Sequence, residues 1–137
     1  PHWFTMAQPF DLPELMYGAD PDRTYLRQRD IFDPEALDDY LRCIRNPGTI
    51  HAMCEDYGAG ATFDNDLDEV DRGRRRIACP LLVLWSTRGE LSWWDPLAIW
   101  RGWADNVSGT GIDCGHYLAE EAPEETYRHL RGFFTSS

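Results

Sequence analysis

A continuous apolar run at residues 77–85, IACPLLVLW, limits what this chain can fold into more than any other feature. A run of this length without a charged residue is typical of a strand buried on both faces, as in a parallel sheet. It is followed by a helix start at Pro96, a weaker strand candidate at residues 107–114 and a last helix start at Pro123. This order of strand, helix, strand and helix predicts an α/β fold with right-handed crossovers and a parallel pair of strands.

The residues before this run are predicted to be helical. Asp33 and Pro34 are typical of a helix start, with an N-cap followed by proline at the first helical position. Apolar residues then recur at helical spacing until the turn residues 46–48, NPG. A second helix is predicted from Thr49 to about Ala61.

Further helices are predicted on either side of this pair. Residues 64–73 indicate a short acidic helix with a solvated face, since they lack the fixed ligand spacing and central glycine of an EF-hand. Shorter helices are predicted to begin near residues 11–14 and 20–22. In the helix that begins at Pro123, the predicted apolar face consists of Leu130, Phe133 and Phe134.

The sequence changes character near residue 76, which predicts two segments. Residues 1–75 form a helical segment, and residues 76–137 form an α/β segment. Two parallel strands do not make a stable sheet alone, so we expect both segments to be parts of a larger fold. Pro1 is not a natural start, and we therefore expect the natural N-terminus to lie upstream.

Charge and composition exclude several functional classes. The chain has 137 residues and a net charge of −11, which argues against nucleic-acid binding because phosphates need a positive surface. All 13 basic residues are Arg, which excludes a Schiff-base lysine and a P-loop lysine. No apolar run is long enough to span a membrane and no signal peptide is visible, so a cytoplasmic protein without membrane contact is expected.

The cysteine pattern argues against a zinc site. No C-x-x-C pair occurs, and free thiols in a reducing compartment are the simpler interpretation. We therefore expect no metal site and no cofactor. The cysteines concerned are Cys43, Cys54, Cys79 and Cys114.

His116 is the first candidate catalytic residue. It lies in the segment DCGHY, directly after the second strand candidate and before an acidic helix start. Loops at the carboxyl ends of parallel strands build α/β active sites, and a histidine there is placed to act as a general base. The alternative is a hydrogen-bonded surface histidine at a turn.

Three aromatic side chains are candidate anion ligands. His2 and Trp3 carry ring N–H groups, and Tyr57 carries a phenol; such donors hold an anion in an apolar pocket without adding a fixed charge. The alternatives are an aromatic helix end packed into a core and a core tyrosine. The other two histidines, His51 and His129, lie among charged residues and are predicted to face solvent.

Four stretches of the chain resemble the C-terminal half of the haloacetate dehalogenases, notably the fluoroacetate dehalogenases, of the α/β-hydrolase superfamily. They are distributed from residue 2 to residue 125, over nearly the whole length of the chain, in the family's order. The last stretch is typical of the whole superfamily, and the first two are more diagnostic of the dehalogenase branch. The stretches are HWFTMAQPFDLPE (2–14), FDPEALDDYLRCIRNPGTIHAMCEDY (32–57), RRIACPLLVLW (75–85) and CGHYLAEEAPEE (114–125).

The resemblance implies a role for each candidate residue. His116 matches the histidine that activates the hydrolytic water, and His2, Trp3 and Tyr57 match the donors that hold the departing halide. In this family an aspartate attacks the carbon that bears the halogen and forms an ester, which water then cleaves. The resemblance further implies that residues 1–75 are a helical cap, that residues 76–137 are the last two strands and helices of the core, and that a homodimer is possible.

Other parts of the family's pattern are expected upstream or differ here. The nucleophilic aspartate, its neighbouring arginines and the oxyanion-hole residues would precede Pro1. Gly89 lies near the position where many α/β-hydrolases carry the catalytic acid, which agrees with a branch whose acid lies earlier in the chain; Glu90 is a weaker substitute. The segment at residues 25–32 is shorter than in relatives, which bears on the shape of the pocket.

Two alternatives stay open at this point. An epoxide hydrolase shares the aspartate and the histidine but uses cap tyrosines to protonate the epoxide, which Tyr57 alone would suit. The adjacent His2 and Trp3 favour halide binding and hence a small haloacid substrate. The other alternative is a truncated chain without activity.

Overall fold

The computed structural model describes residues 2–25 and 29–135. The chain divides into two compact units between Val70 and Asp71. This division falls near the change of character predicted at residue 76. The assignment of the two segments as cap and core stays a prediction.

Helices precede the two strands along the described chain. Six helices come first: α1 (His2–Met6), α2 (Leu12–Gly18), α3 (Pro21–Tyr25), α4 (Pro34–Ile44), α5 (Pro47–Ala61) and α6 (Phe63–Asp71). The remaining elements are β1 (Leu81–Ser86), α7 (Pro96–Arg101), β2 (Val107–Ile112), α8 (Leu118–Glu121) and α9 (Pro123–Thr135). Short 3-10 turns occupy Arg29–Ile31 and Glu90–Trp93. None of the helices in the described ranges is long and apolar enough to cross a membrane.

Side-chain caps fix where the two longest helices of the first unit begin. The Asp33 carboxylate accepts hydrogen bonds from the N–H groups of Glu35 (2.9 Å) and Ala36 (3.4 Å), as the predicted N-cap should. The helix predicted from Thr49 begins two residues earlier, because the Asn46 side chain accepts the N–H of Gly48 at 2.9 Å and caps α5. Residues 46–48 therefore start a helix as well as ending one.

The first unit has one apolar core, in which α5 packs against α1, α2 and α4. Its buried members come from α1, α2, α4 and α5, and Leu37, Met53 and Tyr57 pack against them from partly buried positions. By contrast, α6 has no buried residue, which confirms the predicted solvated face. The six buried members of this core are Met6, Tyr17, Leu41, Ile44, Ile50 and Cys54.

The second unit contains the predicted parallel pair of strands. β1 pairs with β2 in the register Leu81↔Val107 to Ser86↔Ile112, and α7 connects them. The parallel α/β architecture predicted from the sequence is therefore confirmed.

The apolar run at residues 77–85 is not one buried strand. Pro80 has no N–H to donate to a ladder, and the strand begins only after it, at Leu81. Ile77 forms a separate bridge with Ala104. Residues 81–85 are half-buried, and in this strand only Ser86 is buried. The expectation of burial on both faces was wrong for this chain.

The predicted apolar face of α9 is also exposed to a large extent. Leu130 is 39% exposed and Phe134 is 71% exposed, while Phe133 is half-buried. The buried residue of this helix is Thr126, whose hydroxyl donates to the carbonyl of Leu118 at 3.0 Å. The helix therefore packs on α8 through its first turns, and its later apolar residues stay accessible.

Gly109 permits the close approach of the two strands. A Cβ at this position would clash with the backbone carbonyl of Val83 on β1 and approach Leu97 on α7 to 3.1 Å. We expect Gly109→Ala to lower the free energy of unfolding by about 1–3 kcal/mol, because backbone atoms cannot move aside as a flexible side chain can. Chemical denaturation followed by circular dichroism measures this change.

Gly58→Ala is the matched control for that substitution. Gly58 lies inside α5 and a Cβ there meets nothing within 4 Å. Alanine in a helix interior is favoured over glycine by about 0.5–1 kcal/mol, so this variant should be slightly more stable. If both variants change stability equally, the account of strand packing at Gly109 is wrong.

Candidate active site

The loops that follow β1 and β2 meet at one edge of the sheet, because parallel strands end on the same side. The buried Ser86 hydroxyl donates to the carbonyl of Cys114 at 2.7 Å, and the N–H of Thr87 donates to the carbonyl of Ile112 at 2.9 Å. The N–H of Arg88 in turn donates to Ser86 Oγ at 3.2 Å. These bonds tie the first loop to the base of the second.

An ion pair joins the same two loops at the surface. The Arg88 guanidinium donates to both carboxylate oxygens of Asp113, from Nε to Oδ1 at 2.7 Å and from the terminal nitrogen to Oδ2 at 2.8 Å. This hydrogen-bonded contact lowers the pKa of Asp113 below its usual range. Both side chains are largely exposed, so the ion pair contributes little to the stability of the fold. Its main effect is to hold the two loops together in one orientation.

His116 lies on the second loop, in the position that the sequence predicts. It is exposed, follows the end of β2 by four residues, and its ring meets that of Tyr117 edge-on with centroids 5.0 Å apart. An exposed imidazole at the carboxyl end of a strand is accessible to water and substrate. The arrangement thus permits general-base chemistry, and the role itself stays a prediction.

Glu121 holds the loop that carries His116. Its carboxylate accepts the N–H of Gly115 at 2.7 Å and the N–H of Tyr117 at 3.0 Å, the residues on either side of the histidine. A Cβ at Gly115 would overlap this carboxylate, so a larger residue there would force the flexible Glu121 side chain to move. Glu121 lies in the acidic helix start that follows the histidine, and no spacing in the sequence distinguishes it from the neighbouring Glu120.

The same hydrogen bonds predict a pH dependence. The bond from the Tyr117 N–H, followed by that from Gly115, lowers the pKa of Glu121 from its ordinary 4.5. A carboxylate with a lowered pKa in the folded chain stabilises it above pH 4.5, and this contribution is lost as the pH falls through the lowered pKa.

We therefore expect the thermal midpoint to fall between pH 5 and pH 3 by more in the unsubstituted chain than in Glu121→Gln. Gln keeps an acceptor oxygen but cannot titrate in this range. Differential scanning calorimetry across this range measures the difference. Parallel curves for the two proteins would contradict the role of the Glu121 charge.

The candidate anion ligands of the first unit come together around His2. Its ring meets the ring of Tyr57 edge-on with centroids 5.8 Å apart, and the ring of Trp3 with centroids 6.3 Å apart. Tyr57 is half-buried against the core of this unit, whereas Trp3 is 71% exposed. The exposure of Trp3 contradicts the alternative of an aromatic helix end buried in the core of this unit.

Three further predictions concern His116, Glu90 and the segment at residues 25–32. His116 belongs to the second unit, so its convergence with the donors around His2 stays a prediction. Glu90 is exposed at the start of a 3-10 turn, after Gly89. Of the segment at residues 25–32, whose shortening bears on the pocket, residues 26–28 lie outside the described residues.

Comparison with known proteins identifies hydrolases as relatives. No family model matches the chain. It is 35% identical to a fluoroacetate dehalogenase of Burkholderia sp. over 99% of the chain and 47% of that protein. It is 27% identical to a soluble epoxide hydrolase of Corynebacterium sp. (strain C12) over 69% of the chain and 32% of that protein. The chain thus spans half or less of the length of these relatives.

Solved structures agree on the architecture. A protein of Nostoc sp. PCC 7120, provisionally described as an α/β hydrolase, matches 99% of the chain and 49% of its own length at a TM-score of 0.91 and 46% identity. A Pseudomonas aeruginosa protein, provisionally described as an epoxide hydrolase, matches 98% of the chain and 48% of its own length at a TM-score of 0.87 and 45% identity. The chain therefore has the architecture of part of an α/β-hydrolase fold, and the dehalogenase and the epoxide hydrolase named above are both hydrolases.

Proposed function

We propose that this chain is the C-terminal half of a hydrolytic dehalogenase that cleaves the carbon–halogen bond of haloacetates such as fluoroacetate. The observation that carries the proposal is the position of His2, whose ring contacts both Trp3 and Tyr57. Each of the three rings carries an N–H or O–H donor, and such donors can stabilise a small anion as its charge develops during release. The 35% identity to a fluoroacetate dehalogenase over nearly the whole chain supports the same substrate class.

The proposed reaction has two steps, and residues of this chain take part in each of them. An aspartate carboxylate outside this chain attacks the carbon that bears the halogen, so that a carbon–oxygen ester bond forms and the halide leaves with the bonding electrons. The donors around His2 replace the hydration of the leaving halide, which matters most for fluoride because it is strongly hydrated. No cofactor takes part in the proposed steps.

His116 acts in the second step. Its imidazole accepts a proton from water as the water oxygen attacks the ester carbonyl, which releases hydroxyacetate and restores the carboxylate. Glu121 keeps the His116 loop in place, since it accepts the N–H groups on both sides of the histidine. The exposure of His116 agrees with access of water to the imidazole.

An epoxide hydrolase is the second candidate. The half-buried phenol of Tyr57 could protonate an epoxide oxygen, and one relative is a soluble epoxide hydrolase. Neither Trp3 nor His2 is needed for that chemistry. Their contact with each other therefore favours the dehalogenase.

A pair of substrates separates the two candidates. The full-length protein that contains this chain is incubated with fluoroacetate or with styrene oxide, and halide and diol are measured in parallel. The proposal expects fluoride and hydroxyacetate in equal amounts and little or no diol. Diol formation without halide release would support the epoxide hydrolase, and inactivity of the folded full-length protein on both would contradict each of them.

A further inference from the structure

Three potential metal ligands converge on the surface of the first unit. Glu14 lies on α2, while His51 and Glu55 lie one turn apart on α5. One nitrogen or oxygen atom from each of the three lies within 4.8 Å of those of the other two, and His51 Nδ1 is 2.8 Å from Glu14 Oε1. The four-residue spacing puts His51 and Glu55 on one face of α5, towards α2.

The helix backbones beneath this cluster are held by the core. α2 packs against α5, and Ile50 and Cys54, which neighbour the cluster in sequence, are buried between helices. The side chains above them are accessible: His51 is 59% exposed and Glu14 is 34% exposed. The backbone positions are therefore fixed, while the side chains retain the freedom to rotate by the small amount that a bound ion requires.

The charge of the cluster favours a cation. Glu14 and Glu55 both carry negative charge near His51, and no Arg side chain of the described ranges pairs with either carboxylate. A divalent cation would neutralise the two carboxylates together.

We propose that Glu14, His51 and Glu55 form a Zn²⁺ site that joins α2 to α5. An imidazole nitrogen and two carboxylate oxygens, with water in the fourth position, form an ordinary tetrahedral zinc set. The nitrogen ligand disfavours Ca²⁺ and Mg²⁺, which prefer oxygen. This site is independent of the proposed dehalogenation, and it differs from the sequence-based expectation of no metal site.

Calorimetric titration of the full-length protein that contains this chain with zinc chloride tests the site directly. The exposed thiol of Cys79 is first replaced in every variant by Cys79→Ser, because a surface thiol also binds zinc. We expect one equivalent of zinc to bind, and a tenfold excess of Mg²⁺ or Ca²⁺ not to displace it. His51→Ala and Glu55→Gln should each weaken binding by at least about tenfold, since losing even an outer-shell partner costs that much.

His129→Ala is the matched control. His129 on α9 is also four residues from an acid, Glu125, with 3.9 Å between their nearest nitrogen and oxygen, but among the described residues it belongs to no cluster of three ligands. This variant should bind zinc as tightly as the parent. Zinc should also raise the thermal midpoint of the parent and of His129→Ala, but not that of His51→Ala.

Three results would overturn the proposal. They are absence of zinc binding by the parent protein, unchanged affinity in His51→Ala, and an equal loss in His129→Ala. Glu55 is exposed on the surface of α5, so Glu55→Gln tests the ligand without disturbing the core.

Discussion

In the full-length enzyme, His116→Ala is expected to release about one halide per active site and then to stop. In the proposed mechanism, displacement of halide by the aspartate needs no base, so the first step should survive. Hydrolysis of the ester needs a group that accepts a proton from water, and loss of such a base costs roughly 10²–10⁴-fold in rate. The protein should therefore accumulate as the ester.

Halide release in the first turnover and intact-protein mass spectrometry together check this expectation. The mass increase should equal the ester of one substrate molecule and should lie on a peptide outside the 137 residues of this chain. His129→Ala, which replaces the histidine of α9, should keep full turnover. Sustained turnover by His116→Ala would exclude the proposed role of His116.

In the same enzyme, Trp3→Phe is expected to slow halide displacement while it leaves an aromatic ring in place. The indole N–H is the donor that the substitution removes, and loss of one such donor to a developing negative charge costs about 2–4 kcal/mol in the transition state. The loss should be larger for fluoroacetate than for chloroacetate, because fluoride depends more on hydrogen-bond donors. Single-turnover rates for both substrates measure it.

Phe4→Leu is the control for Trp3→Phe. Phe4 is the next residue of α1 and is 76% exposed, but its ring carries no N–H. Its replacement should change the two displacement rates little. Equal losses for fluoroacetate and chloroacetate in Trp3→Phe would indicate that Trp3 contributes packing and not a donor.

Helix starts and the strand order could be predicted from the sequence because their causes are local. Asp95 caps α7 through a 2.9 Å bond from the N–H of Ala98, as Asp33 caps α4, and in both helices proline follows the cap. The parallel pairing follows from the alternation of strand and helix. The caps depend on residues within a few positions of one another, and the strand pairing depends on the order of elements along the chain.

Burial could not be predicted in the same way. The apolar residues at positions 81–85 and on α9 predict buried faces. Whether a face is buried, however, depends on which other elements of the fold cover it. The start of the strand is also not visible from apolar character alone. Residues 77–85 are apolar on both sides of Pro80, but the hydrogen-bond ladder begins only after it.

Among the site residues, some could be predicted from the sequence, whereas the contacts between distant residues could not. His116 could be predicted because it lies just past a strand candidate, and His2, Trp3 and Tyr57 because their rings carry N–H or O–H donors. The contacts of Arg88 with Asp113, 25 residues apart, and of Glu14 with His51, 37 residues apart, arise from packing alone. No periodicity in the sequence connects such pairs.

Fluoride release by the full-length protein and by this 137-residue chain, measured side by side with fluoroacetate, shows whether halide displacement needs residues outside this chain. We expect continuous release by the full-length protein, which would contain both the aspartate and His116. We expect no release by the chain alone, which would contain the base and the halide donors but not the nucleophile. Fluoride release by the chain alone, or none by the folded full-length protein, would contradict the proposal.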